Sequence, residues 1–518
     1  MASTTTMGTM TGQNAQLLPT LRRLFTQVLT RSNASKALGI YIICLIIKYR
    51  NTAYGARPRP DLKGPRGVPL LGNLINILRR SRSQNYQFQT KNHEEKYGSY
   101  YSVSLPGIGR IINISDPDMI DHVLRTNFWA YEKGDHLRNT LEPLVGQGIF
   151  GADGELASNI FNVRSFRTYT SDVFCREAQL VIDYLSTAAD TDKVVDLQSI
   201  FYLFTLDSFG EIAFGQAFGC LKDPEQPVEF AEAFDRLNQT MSERVISPIW
   251  KLKDWWTGHG DVVRKDTQTV HEFAYNVIKK RRQEPPTERR HKDLMQLFMD
   301  ATDEHGQPLS DEMLKDELIN MILAGRDTTA QALSWMFYLM HRSGASSEIV
   351  SQLVEETESV LNGGLPTYES TKQQKYAEAC FYEALRLYPS VPQNVKVCVQ
   401  DDVLPHGPRI YKGENVGWCS WAMGRLESLW GPDAKEYKPE RWLSGEKPSS
   451  SKFVSFHLGP RTCLGQQFAT IEAITIMSML FQKFSFELVE PDKEPAYIPA
   501  LTLPMDNGLP VRIKRRTD

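Results

Sequence analysis

A ten-residue segment from Phe456 to Gly465 constrains this chain more than any other part of it. The segment places Cys463 between Gly459 and Gly465, and the residues behind it read as the opening of a helix. A helix N-terminus supplies partial positive charge and free N–H donors, which favour a thiolate by lowering the thiol pKa. Glycine lets the backbone approach a flat ligand where a Cβ would clash, and Arg461 can pair with a carboxylate on that ligand. The segment therefore predicts that Cys463 is a metal-ligating thiolate beside a flat cofactor.

A second constraint is a long helical pattern from Asp311 to Met340, with Ser310 suited to the N-cap. In its middle stands the run Ala324-Gly325-Arg326-Asp327-Thr328-Thr329. Glycine lowers helix stability, and Asp and Thr compete for backbone hydrogen bonds, so this run is unfavourable inside an apolar helix. The pattern indicates a functional site with a widened helical groove at Asp327 and Thr328. The alternative interpretation is a solvent-facing polar patch on a kinked helix.

A third pattern is the pair Glu383 and Arg386, in a helical stretch predicted from Gln373 to Tyr388. Residues three apart share a helix face, so the carboxylate and the guanidinium can meet. Such a pair is by itself a weak signal, because surface ion pairs are common and contribute little. A later run, Tyr437-Lys438-Pro439-Glu440-Arg441-Trp442, supplies a second arginine.

In this order, the three segments resemble the cytochrome P-450 superfamily, the heme-thiolate monooxygenases. A structural cysteine in a glycine-rich turn would account for Cys463 alone, but not for the whole F-x-x-G-x-R-x-C-x-G pattern. The resemblance implies a mainly α-helical fold with a small β-rich lobe. It places heme b between the long central helix and the helix that follows the cysteine loop.

The resemblance also assigns roles to individual residues. Cys463 would be the axial ligand of the iron, and Asp327 and Thr328 would deliver protons to bound oxygen. The residues assigned to heme binding are Cys463, Arg461, Phe456, Gly459, Gly465 and Lys396, with Arg461 and Lys396 at the propionates. Glu383, Arg386 and Arg441 would form an ion-pair network that holds the thiolate loop in register.

Within the superfamily, the chain is similar to fungal and plant fatty-acid and alkane ω-hydroxylases. The segments that carry this similarity are 324–329, 420–425, 430–434, 463–469 and 500–505. It implies hydroxylation at or near a terminal carbon, with O2 and with electrons from NADPH through NADPH-cytochrome P-450 reductase. The mostly apolar segments 391–395 and 500–505, expected at the substrate cavity, would also suit a sterol or another secondary metabolite. An oxygen-independent isomerase or dehydratase is a weaker alternative, because such an enzyme needs no Asp327–Thr328 pair.

One departure from the family pattern bears on activity. After Glu155 the family continues with a W-x-x-x-R helix whose Trp and basic residue bind the heme propionates, and about seven residues, two turns of a helix, are absent here. Arg164 and Arg167 match later positions of the pattern, whereas His136 and Arg138 in the preceding loop are weakly supported substitutes. A heme-deficient, inactive family member is therefore the competing hypothesis.

The N-terminal part of the chain predicts a membrane-bound protein. We divide the chain into a disordered or amphipathic segment (1–35), a membrane anchor (36–50), a basic hinge rich in Pro and Gly (51–73) and the monooxygenase domain (74–518). The apolar run 37–47 is short for a spanning helix, and a cleaved signal peptide is the alternative. Basic residues behind the run favour a cytosolic domain on the endoplasmic reticulum membrane. A net charge of −3 gives no sign of nucleic-acid binding, and seven scattered cysteines indicate free thiols in a reducing compartment.

Overall fold

The computed structural model describes residues 31–151, 167–247, 249–284, 293–302, 306–498 and 500–516. The helices of the first half are α1 (Arg31–Lys48), α2 (Leu74–Leu78), α3 (Arg82–Lys91), α4 (Pro117–Asp121), α5 (Asp135–Val145), α6 (Arg167–Asp190), α7 (Leu197–Phe214), α8 (Glu229–Ile246), α9 (Trp250–Thr257) and α10 (His259–Gln283). Those of the second half are α11 (Leu294–Asp300), α12 (Asp311–Ile322), α13 (Thr328–His341), α14 (Ser347–Leu361), α15 (Tyr368–Gln373), α16 (Lys375–Leu387), α17 (Ser420–Met423), α18 (Glu427–Trp430) and α19 (Gln466–Phe481).

Small sheets accompany these helices. The strands are β1 (Tyr100–Leu105), β2 (Gly109–Ile114), β3 (Tyr131–Glu132), β4 (Val195–Asp196), β5 (Gln393–Cys398), β6 (Asp402–Val403), β7 (Arg409–Ile410), β8 (Asn415–Cys419), β9 (Phe484–Leu488) and β10 (Pro510–Arg515). The largest sheet has the order β1-β2-β8-β5-β3, in which β2 and β8 are parallel and the other neighbours antiparallel. The remaining strands pair as β4-β10-β9 and β6-β7. The predicted fold class, mainly α with a small β-rich lobe, is confirmed.

The predicted central helix is present, and it changes character in its middle. The Ser310 hydroxyl accepts a hydrogen bond from the N–H of Met313 and caps α12. A π-helical turn, Leu323–Asp327, then joins α12 to α13. The wider turn lies at the Gly-Arg-Asp run where the sequence predicted a widened groove.

The two halves of this helix belong to different hydrophobic cores. The side chains of α12 pack with those of α5, α8 and α10, whereas the side chains of α13 pack with those of α6, α16 and α19. Trp335 on α13 has no exposed surface, and its indole N–H donates to the carbonyl of Leu503 at 2.8 Å. The central helix therefore ties the two cores together at its π-helical turn.

Two further predictions concern helix lengths. The helix predicted from Gln373 to Tyr388 is present as α16, which begins two residues later, at Lys375, and ends one residue earlier, at Leu387, whereas Gln373 is the last residue of α15. None of the helices in the described ranges has both the length and the apolar composition needed to cross a membrane.

Candidate active site

The loop that carries Cys463 is closed by the backbone. The N–H of Cys463 donates to the carbonyl of Phe456 at 2.8 Å, and a 3₁₀ turn over Gly459–Arg461 lies between them. Gly465 then occupies the N-cap position of α19. The Phe456 ring packs edge-on against Tyr382, with 5.8 Å between the ring centroids. These contacts fix the position of the thiol at the start of the helix.

Cys463 is an exposed residue, and the neighbouring protein displaces part of the water around its thiol. Dehydration by these surroundings raises the pKa of Cys463, and the backbone N–H groups of Gly465 and Gln466 act in the opposite direction. The sequence correctly predicted that the helix N-terminus acts to lower the thiol pKa. It did not predict that dehydration raises this pKa by more. The net lowering of the thiol pKa that we expected is therefore wrong for the protein alone.

The two glycines of the loop, Gly459 and Gly465, have different surroundings. Gly459 has a φ of +68°, and a Cβ there would lie 2.1 Å from the carbonyl oxygen of Leu124. Protein packing alone therefore requires a glycine here, and its predicted contact with a cofactor stays a prediction. A Cβ on Gly465 would meet only the Sγ of Cys463, at 3.9 Å, within the 4 Å around it. Gly465 thus leaves the space in front of the thiol open.

The central helix has one opening along its length. From Leu314 to Met340, all of which the structure describes, every residue is buried except Ala324 and Thr328. These two residues are four apart and share a helix face. Thr328 Oγ1 donates to the carbonyl of Ala324 at 2.6 Å, so in this geometry the hydroxyl faces the opening as an acceptor. The role predicted for Thr328, donation to bound oxygen, requires its hydroxyl hydrogen to turn away from the Ala324 carbonyl by rotation about the Cβ–Oγ1 bond.

The π-helical turn and the cysteine helix lie close together. Phe209 on α7 packs against Gly325, where an added Cβ would lie 2.2 Å from the phenyl ring. The same ring contacts Phe468 in the first turns of α19, with the centroids 5.8 Å apart. One aromatic side chain therefore separates the π-helical turn from the start of the helix behind Cys463.

Asp327 is buried in a polar cluster. Its carboxylate pairs with Arg326 at 2.8 Å and accepts a hydrogen bond from Asn238 Nδ2 on α8, also at 2.8 Å. Burial raises the pKa of Asp327 to about 7, while Arg326 acts to lower it. A carboxyl with a pKa near neutrality can both hold and release a proton at physiological pH.

Basic side chains gather beside the cysteine loop. Burial, together with the charges of Lys396, Arg461 and Lys133, lowers the pKa of His457 to about 4. Arg461 Nη1 and Lys133 Nζ both donate to the carbonyl of Ile149, at 3.2 and 3.0 Å. The two predicted basic residues, Arg461 and Lys396, therefore lie near each other, and Lys133 is a third that the sequence reasoning did not identify.

His136 and Arg138, which the sequence offered as substitutes for the missing propionate-binding residues, make contacts elsewhere. The His136 ring is hydrogen-bonded to the carbonyl of Val245 at 3.0 Å, and Arg138 forms an ion pair with Asp135. The altered segment 156–166, including Arg164, lies outside the described residues.

The chain just before that segment is held by the central helix. Side chains of α12 accept hydrogen bonds from three backbone N–H groups of the preceding loop. Asp316 binds Gln147, Glu317 binds Ile149, and Asn320 binds Phe150. Burial raises the pKa of Glu317 to about 7. Because Lys133 and Arg461 bind carbonyls of the same loop, its position depends on both the central helix and the cysteine loop.

The predicted ion-pair network is present on α16. Two hydrogen bonds of 2.8 Å join Glu383 to Arg386, and Arg441 Nε lies 3.5 Å from the same carboxylate. The Trp442 indole also donates to Glu383, at 2.9 Å. Arg386 donates to the carbonyls of Gly424, Ala434 and Glu436, which connects α16 to the segment before the cysteine loop.

Several buried polar residues of the site escaped the sequence reasoning. Gln331 accepts a hydrogen bond from the N–H of Leu503 at 2.7 Å and donates to Thr502 Oγ1 at 2.8 Å. Ser390 donates to the carbonyl of Thr328 at 2.7 Å. The segment 500–505 and the residue just before the segment 391–395 are thus hydrogen-bonded to the central helix within one turn of its opening. A polar residue in an otherwise apolar helix, as at Gln331, was a usable signal.

Together these residues fit a flat, anionic, metal-bearing cofactor. A thiol at a helix N-terminus can ligate the metal, and Gly465 leaves space for a ring system in front of it. Lys396, Arg461 and Lys133 would supply positive charge for the two propionates of a heme. Thr328, on the opening of the central helix, can contact a ligand on the other side of the ring.

Comparisons with known proteins agree with this geometry. The profile of the family described as Cytochrome P450 matches residues 62–509. The chain is similar to cytochrome P450 monooxygenase cyp1 of Mycosarcoma maydis, at 38% identity over 92% of this chain and 80% of the relative. It is also similar to cytochrome P450 704B1 of Arabidopsis thaliana, at 32% identity over 92% of this chain and 100% of the relative. The chain belongs to the cytochrome P450 family, whose members bind heme b with a cysteine thiolate as the axial ligand.

Proposed function

We propose that this chain is a monooxygenase that hydroxylates a fatty acid or an alkane at or near the terminal carbon. Its oxidant is O2, and its electrons come from NADPH through NADPH-cytochrome P-450 reductase. The observation that carries the proposal is the opening of the central helix at Ala324 and Thr328, beside Gly325 of the π-helical turn, which the Phe209 ring separates from the helix behind Cys463. When bound through Cys463, heme supplies the redox chemistry that activates dioxygen.

The chain's own residues position the cofactor and move protons. Arg461 and Lys396 would hold the propionates, and the closed loop between Phe456 and Cys463 fixes the ligand thiol. Thr328 Oγ1 stands at the opening, where it can orient a water or a hydroxyl. Asp327, with a pKa of about 7, can release a proton and regain it from solvent through the polar cluster around it.

The substrate class rests on the motifs shared with fungal and plant ω-hydroxylases. Apolar side chains in 391–395 and 500–505 are compatible with an alkyl chain. Hydrophobic contacts alone discriminate weakly, by about 1–3 kcal/mol per methylene group. A sterol or another secondary metabolite is therefore the alternative substrate to be included in any assay.

The deciding experiment is the reduced carbon-monoxide difference spectrum of the expressed protein, followed by turnover of fatty acids and alkanes. We expect the long-wavelength band of a thiolate-ligated heme, and then a terminally hydroxylated product. A thiolate band with turnover only of sterols would overturn the substrate class. Absence of heme would favour the second candidate, an inactive protein, which the shortened segment after Glu155 suggests.

We also propose that the protein binds the endoplasmic reticulum membrane with its catalytic domain in the cytosol. Apolar side chains along α1 are exposed, among them Leu38, Ile43 and Ile47. Trp255 and Trp256 on α9 are 75% and 81% exposed, and tryptophan prefers the membrane–water interface. Co-flotation of the full chain with phospholipid vesicles tests this. Recovery of the protein in the vesicle-free fraction would contradict it.

A further inference from the structure

Asp327 shares its ion-pair partner, Arg326, with a second carboxylate. Arg326 also forms a two-point ion pair with Asp235 on α8, with Nη1 and Nη2 donating at 2.6 and 3.1 Å. The guanidinium is buried, with 4% of its side chain exposed, and Asp235 is half-exposed at 50%. A single buried cation therefore joins a solvent-facing carboxylate to a buried one.

Other elements hold this arrangement in place. The Arg326 guanidinium lies 4.4 Å from the ring of Tyr202 on α7. Thr205 on the same helix donates to the Arg326 carbonyl at 3.0 Å, within the π-helical turn. Three elements face the ion pair of Asp327 and Arg326. Helix α8 supplies Asp235 and Asn238, and α7 supplies Tyr202. The segment before β10 supplies Thr502, which contacts the pair through Asn238.

We propose that Asp235 is a positioning residue for Asp327: it divides the guanidinium of Arg326 between two carboxylates, and so leaves Asp327 able to hold a proton. This inference rests on the proposed function, in which Asp327 supplies protons during oxygen activation. Without Asp235, Arg326 would turn wholly to Asp327 and hold it ionised. The negative charge of Asp235 acts in the same direction, because it disfavours a second negative charge nearby.

The substitution that tests the inference is Asp235→Asn, and the chain offers a matched control. Glu232 lies one turn earlier on α8 and is 57% exposed, and it pairs with Arg236, at 3.7 Å. Glu232→Gln therefore removes the same charge from the same helix without touching the Arg326 ion pairs. Asp235→Glu keeps the charge and serves as the conservative rescue.

The readout is the pH dependence of thermal unfolding, which needs no turnover. The unfolding temperature of the wild type and of each variant is compared with that of the same protein carrying the additional substitution Asp327→Asn, from about pH 5 to about pH 9. The difference between the two temperatures, plotted against pH, is the difference curve. Because its folded pKa is raised, the protonated Asp327 stabilises the native state at low pH, and this contribution is lost as pH rises to about 7 and is constant above it.

In the wild type we expect the difference curve to become flat near pH 7, the pKa of Asp327. The pH at which the curve becomes flat is called the break. In Asp235→Asn the break should move down by about 1 pH unit, and in Glu232→Gln and Asp235→Glu it should stay. A break at the same pH in Asp235→Asn and in the wild type would overturn the inference. Failure of the proposed function is seen separately, as absence of product from the heme-loaded wild type, and it leaves the pH break readable.

Discussion

The carboxylate of Glu383 and the guanidinium of Arg386 are joined by two hydrogen bonds of 2.8 Å, and neither side chain has exposed surface. Breaking a buried pair by removing one partner leaves an uncompensated charge in the interior. Here the group left behind would be Glu383, which would keep only the more distant Arg441, at 3.5 Å, and the hydrogen bonds from Lys438 N and Trp442. This pair should therefore contribute to folding far more than an exposed pair does.

We expect Arg386→Met to lower the free energy of unfolding by about 3–5 kcal/mol. Urea unfolding of the purified protein measures this change. Arg409→Met is the control, because Arg409 and Asp401 form an exposed pair and little change should follow. Equal losses in the two variants would show that burial of the pair is not what matters.

Glu472 on α19 should make stability depend on pH. Its carboxyl is buried and accepts a hydrogen bond from Ser208, and burial raises its pKa from 4.5 to about 8. The folded state therefore holds this proton more tightly than the unfolded state does, and the stabilisation is lost as pH rises from 4.5 to about 8. Glu472→Gln should become progressively more stable relative to the wild type over this range. Parallel pH profiles of the unfolding temperature would contradict the assignment.

Thr328 should control how efficiently reducing equivalents reach product. Thr328→Ala removes the hydroxyl at the opening of the central helix, and we expect hydroxylation to fall by about 100-fold while NADPH consumption continues. The control is Ser334→Ala, because Ser334 makes the same type of bond, to the Ala330 carbonyl at 2.7 Å, but is fully buried. The ratio of product to NADPH oxidised distinguishes the two. A normal ratio in Thr328→Ala would remove this residue from the proton route.

Restoring the missing segment should improve cofactor retention. We expect insertion of about seven residues containing a W-x-x-x-R pattern after Glu155 to raise the heme content per chain, since the pattern adds two propionate contacts. The control insert has the same length, with alanine in place of the tryptophan and the arginine. Heme content is measured by pyridine hemochromogen absorbance. Equal occupancy in the wild type and both inserts would mean that the remaining basic residues suffice.

The parts of the site that are local in sequence could be predicted. The cysteine loop, the capped central helix and the pair Glu383–Arg386 each depend on residues within a few positions of one another. The polar partners could not be predicted in this way. Asp235 lies 91 residues from Arg326, and Ser208 lies 264 residues from Glu472, so only the packing of helices brings these pairs together.

The incorrect expectation about the thiol pKa had an equally physical origin. The pKa of Cys463 depends on how much water the folded protein displaces around the thiol, and a motif does not report this. The motif likewise does not report that the carbonyl of Leu124 excludes a side chain at Gly459. Both effects come from parts of the protein that are distant in the sequence or are set only by folding.

The π-helical turn at Leu323–Asp327 sets the rotational phase between two helical segments that serve different cores. Each residue advances an α-helix by about 100°. Removing one residue from this turn would therefore rotate all of α13 by that angle against α12. Trp335 would lose its place against Leu503, and Thr328 would no longer share a face with Ala324. The single wide turn thus allows one continuous helix to pack its side chains into both cores and to form the opening between them.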